Sequence, residues 1–94
     1  MDNLSRFHND ISRIYERMDI GEELIMIGQR IHCGRLEAIG NEMLDSRDDD
    51  YVDFDSLVGA FQLALWTIDD TLDGKTRKEL DELLTRAEMA KGAA

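Results

Sequence analysis

Few side chains in this 94-residue chain have the types that chemistry needs: two histidines, one cysteine and a crowd of aspartates. His8 stands beside Asn9 and Asp10, but on a helix neighbouring residues point in different directions. His32 and Cys33 are adjacent, and adjacent helical side chains diverge by about 100°. No HxxxH or HExxH spacing occurs, so a hydrolytic metal site is not expected. A single cysteine excludes an internal disulfide framework and a cysteine-based zinc finger. Cys33 is therefore expected to fill space in or near the core. Gly21, Gly28, Gly34 and Gly40 are too widely spaced to cradle a phosphate, and no Gly-Lys-Ser/Thr follows them. The residues imply no catalytic group, no metal and no cofactor, and the chain is read as a non-enzyme.

The aspartates are the exception in number and in place. The formal net charge is −10, and between Asp45 and Gly74 every acid is an aspartate, nine of them against one base, Arg47. Eight of the ten net charges thus sit in thirty residues. This balance argues against direct nucleic-acid binding, which draws its affinity from clustered Lys and Arg. It argues equally against docking on an anionic membrane surface. Asp48, Asp50 and Asp53 could offer oxygens to a divalent cation, but the segment lacks the central Gly and terminal Glu of an EF-hand loop. Two readings remain for residues 45–55. One is a solvated loop whose aspartates serve turns and helix caps. The other is an electrostatic docking surface for a basic partner protein, with Asp48, Asp49, Asp50, Tyr51 and Asp53 as the contact set.

The triplet Asp55-Ser56-Leu57 opens a helical stretch in a small acidic chain. It resembles the motif on which acyl carrier proteins bear phosphopantetheine, and the resemblance places Ser56 in the attachment position. It covers three residues and a helix start. Carrier proteins present an acidic face on the helix that follows, whereas here Leu57 to Ile68 contains no charge.

The elements that must position these residues read as helices. The chain contains no proline, which fits a mostly helical fold. Leu4, Phe7, Ile11, Ile14 and Met18 are spaced 3, 4, 3 and 4 apart, one apolar stripe. With Asn3 as cap and Asp19-Ile20-Gly21 as stop, the pattern predicts helix 1 over 3–18. A second helix is expected over 22–44, with a strand over 24–33 as the alternative, because Leu24-Ile25-Met26-Ile27 is apolar on every side. Helix 3 is expected over 56–72, capped by Asp53 or Asp55. Helix 4 is expected over 76–90, opened by a Thr76/Glu79 capping box. Lys75, Arg77 and Lys78 at its start are expected to meet Asp69, Asp70 or Asp73 across the hairpin.

The predicted fold is an all-α bundle of about four helices forming one domain over 1–94. A helix without charge belongs in the centre of an assembly, and three companions in so short a chain could scarcely surround it. A symmetric homodimer is therefore expected, with Leu24, Ile27, Phe61, Leu65 and Trp66 at its interface. No basic n-region followed by an apolar core stands at Met1, so the cytoplasm is the expected compartment. The functional expectation is a protein-binding regulator or inhibitor acting on a basic, nucleic-acid-handling partner. Anti-restriction and anti-CRISPR proteins provide the analogy, by size and charge. The alternative is a structural homodimer or assembly subunit.

Overall fold

The computed structural model describes residues 2–45 and 54–91, with side chains described from Ile14 onward. Four α-helices follow one another: α1 (Asp2–Arg30), α2 (Gly34–Asp45), α3 (Phe54–Ile68) and α4 (Gly74–Met89), with a 3₁₀ turn over Asp69–Thr71 between the last two. No strand occurs among the described residues, and the chain is an all-α bundle as its periodicity predicts. Residues 24–30, for which a strand was the alternative, belong to α1.

The expected break at Asp19-Ile20-Gly21 is absent. α1 runs through it for 29 residues, because Gly21 is spent on packing. A Cβ there would lie 2.7 Å from the carbonyl oxygen of Gly40 and 3.0 Å from Cβ of Met43. A Cβ on Gly40 would lie 2.7 Å from the carbonyl oxygen of Gly21. The two glycines let the backbones of α1 and α2 touch, at the roughly 1 kcal/mol that each costs a helix relative to alanine. The chain actually reverses at His32, the one non-glycine residue with positive φ (58°) among those described. There His32 N–H donates to the Gln29 carbonyl at 3.3 Å and Cys33 N–H to the Gly28 carbonyl at 2.7 Å. This bond pair is a Schellman closure, with His32 in the left-handed position usually given to glycine.

Antiparallel α1 and α2 present Ile20, Leu24, Leu36 and Met43, all fully buried, to Val58 and Phe61 of α3 and Leu80 of α4. Arg17 fastens the far end. Only 5% exposed, its Nε donates to the Ala90 carbonyl at 3.3 Å, and its guanidinium lies 4.7 Å from the centre of the Phe54 ring. One side chain of α1 thus holds both the C-terminal end of α4 and the N-terminal end of α3, its apolar stem buried beneath its charge.

At the opposite end the α3–α4 hairpin closes as its charges imply. Arg77 reaches back to Asp69, Nε to Oδ1 at 3.0 Å, and also donates to its carbonyl at 2.8 Å. The cap differs from expectation. α4 starts at Gly74, and Asp73 caps it by accepting from Thr76 N–H at 2.7 Å. Glu79, expected to complete a capping box, instead pairs with Arg30 of α1. Arg86 spans Glu16 at 3.0 Å and Glu23 at 2.5 Å, and the hydrogen bond to Glu16 is the main reason its pKa lies above the usual arginine value. These pairs are at least a third exposed and contribute little each.

Three outcomes are expected in urea and thermal melts. Gly21→Ala lowers stability by about 1–3 kcal/mol, because the new methyl group meets backbone that cannot swing aside. Gly59→Ala raises it by roughly 0.5–1 kcal/mol, because open space surrounds that position and alanine is the better helix former. Arg17→Met keeps the stem and loses both charged contacts, costing about 1–2 kcal/mol. The hydrogen bonds from Thr76 hold the Asp73 carboxyl below its ordinary 3.8. A depressed carboxylate pKa stabilises the fold above the unfolded value, and that contribution fades as pH falls through the folded value. Asp73→Ala should therefore lower the melting temperature at pH 7, with the gap from the unaltered chain closing below about pH 4.

Candidate protein-docking face

α3 divides by helical phase into two faces. Phe54, Leu57, Val58, Phe61, Ala64 and Leu65 turn inward and are buried. Their spacing of 3, 1, 3, 3 and 1 is a single inward stripe. The opposite face carries Ser56, half-buried Gly59, Leu63, Trp66 and Thr67. On it Trp66 is 67% exposed and Leu63 58% exposed. Three residues apart, the two side chains are neighbours on the helix surface. Thr67 turns its hydroxyl onto the Leu63 carbonyl at 2.9 Å, so its proton is spent inside the helix. What remains outward is an indole and an isobutyl group with no charge on the helix between Asp55 and Asp69.

Aspartates bound this face at both ends. Asp55 is exposed in the first turn of α3, and Asp70 and Asp73 are exposed just past its last turn. Asp48, Asp49, Asp50, Tyr51 and Asp53, the sequence-derived contact set, lie outside the described residues. The chain from Asp45, itself exposed, leads through them directly into α3.

The residues expected at a dimer interface separate sharply. Leu24 (0%), Ile27 (8%), Phe61 (0%) and Leu65 (4%) are buried within a single chain. Their apolar surface is covered by this chain's own helices, which corrects the expectation that burying them calls for a second copy. Trp66 alone of the five is on the surface. Leu63, which sequence reasoning did not single out, joins it there. Because every residue from Leu57 to Ile68 is uncharged, hydrophobicity alone cannot phase the helix. The usable signal is that Ser56, Gly59 and Thr67, small or polar, share one side with Leu63 and Trp66.

The remaining chemistry-bearing residues converge less usefully. His32 and Cys33 join Ile68, Leu72, Asp73 and Thr76 around an open cavity of about 490 Å³ between the two hairpin turns. Asp73 is committed there to its cap. Among the described residues no group of three His, Cys, Asp or Glu side chains is placed to hold a metal ion. A second groove of about 280 Å³ runs between α1 and α4 over Met26, Ile27 and Leu83, and the Arg30–Glu79 and Arg86–Glu23 pairs bridge it. Ser56 is exposed in the first turn of α3, but the surface following it is apolar where a carrier protein is acidic. Among the described residues no helix is long and apolar enough to cross a membrane. No protein-family model matches the chain, and neither does any curated protein or solved structure.

Proposed function

We propose that the chain is a non-enzymatic, acidic protein-binding regulator that docks the outer face of α3 on a basic partner protein. The observation that carries this reading is Trp66, 67% exposed beside Leu63 on an uncharged helix face bounded by aspartates. Tryptophan dominates the energetics of many interfaces because it buries a large rigid surface with little entropy loss. Aspartates at the margin, including Asp48, Asp49, Asp50 and Asp53, add long-range attraction and orientation more than affinity. A basic surface covered in this way is denied to any polyanion that also binds it, which gives the inhibition a physical route. Leu63 and Trp66 are the anchors, and Tyr51 adds an aromatic edge.

The test compares proteins captured from the native host by the immobilised unaltered chain, by Trp66→Ser, and by a variant with Asp48, Asp49 and Asp50 all changed to Asn. A basic protein retained by the unaltered chain should be lost from the Trp66→Ser column. With the triple Asn variant it should associate at least tenfold more slowly, and with a weaker dependence on salt. In the free chain Trp66 fluorescence should lie near that of tryptophan in water and shift to the blue when the captured partner is added. A captured set unchanged by Trp66→Ser would reject the docking face.

A further inference from the structure

The described parts of α2, α3 and α4 all end near the level of Arg17. Its guanidinium touches the Ala90 carbonyl at the end of α4 and the Phe54 ring at the start of α3. α2 stops at Asp45, two residues beyond Met43, which meets Gly21. α1 nevertheless continues from Arg17 back to Asp2, fifteen residues or about 22 Å of helix at 1.5 Å per residue. The molecule is accordingly elongated, 49 Å by 23 Å by 21 Å. Along that arm the sequence repeats Leu4, Phe7, Ile11 and Ile14 at spacings of 3, 4 and 3, a narrow coiled-coil seam. Where the arm meets the bundle, Ile14 and Met18 are only half-buried, while Tyr15 is 63% and Met89 81% exposed. An apolar seam thus leaves the bundle with no described element beside it.

We infer that this arm is the homodimerisation element, pairing antiparallel with the arm of a second copy across a two-fold axis. Charge selects the occupant. From Asp2 to Arg13 the arm has two acids, Asp2 and Asp10, and two bases, Arg6 and Arg13, so it is neutral in a chain of net charge −10. It can approach its own copy without the repulsion that two aspartate-bounded α3 faces would meet. The spacing also suits a two-fold axis. The stripe reads the same in both directions, so an antiparallel pair sets Leu4 against the second copy's Ile14 position and Phe7 against its Ile11 position. Every apolar layer then matches an apolar layer, as an isologous interface requires.

Sedimentation velocity on the full chain tests the inference. The unaltered chain should be a dimer at about 10 µM, and Phe7→Glu/Ile11→Glu a monomer with its cooperative melt retained. Trp66→Ser and the off-stripe control Ser5→Glu/Ser12→Glu should remain dimeric. In a Cys33→Ala background, mixing Leu4→Cys chains with Ile14→Cys chains should give chiefly the mixed disulfide. An unaltered chain still monomeric at about 100 µM overturns the proposal, as does a dimer that survives Phe7→Glu/Ile11→Glu. Loss of the cooperative melt in that variant also overturns it, because the arm would then belong to the chain's own core. Dissociation by Trp66→Ser would move the seam to α3, and Leu4–Leu4 disulfides would make the pairing parallel.

Discussion

Everything in the bundle is set from the place where Gly21 and Gly40 bring two helix backbones into contact. With side chains at either position, α1 and α2 would stand further apart and Leu24, Leu36 and Met43 could not close on one another. Each glycine weakens its own helix. The close approach returns that cost as dense van der Waals contact along the α1–α2 seam. The contact also keeps α1 continuous, since a chain packed on both sides of Gly21 has no room to turn. From a continuous α1 the rest follows. α2 folds back over its C-terminal half, α3 and α4 cover the remaining apolar side, and Arg17 marks where that cover ends.

The helical class and the inner faces of α3 and α4 were legible in the sequence, because their apolar residues recur at helical spacing between local stop signals. The division between helices 1 and 2 was not. Asp19-Ile20-Gly21 is a sound local stop, but local propensity is a weak prior that tertiary contact overrides. The true turn at His32 gives no composition cue, since a left-handed histidine has nothing in sequence to distinguish it. The Leu24–Ile27 run illustrates the same limit. It looked buried on every side, yet Met26 is 67% exposed while Leu24 is fully buried. A four-residue run cannot reveal how many neighbours a helix will have.

The candidate site shows a related gap. Charge located the acidic surroundings of α3 without structure, because Asp density can be counted. It could not say which uncharged side chains of α3 face solvent. That depended on the phase of the inward stripe relative to the α1–α2 pair. Only with the backbone in place do Leu63 and Trp66 separate from Phe61 and Leu65, their close neighbours in sequence and their opposites in burial.

The case for two chains changes its ground accordingly. An uncharged helix 3 was the reason to expect a partner copy, yet one chain buries six of its residues unaided. What one chain leaves over is of two kinds. The α3 face is apolar and bounded by aspartates, so a copy of itself is its worst occupant and a basic surface its best. The N-terminal arm is apolar along one stripe and electrically neutral, so a copy of itself meets no penalty. If the arms pair, the assembly displays two α3 faces on one rigid axis. A partner with two basic sites at matching separation would then bind the second intramolecularly, gaining avidity without any new contact. The two surfaces thus divide the work, the arm setting valency and α3 setting partner choice.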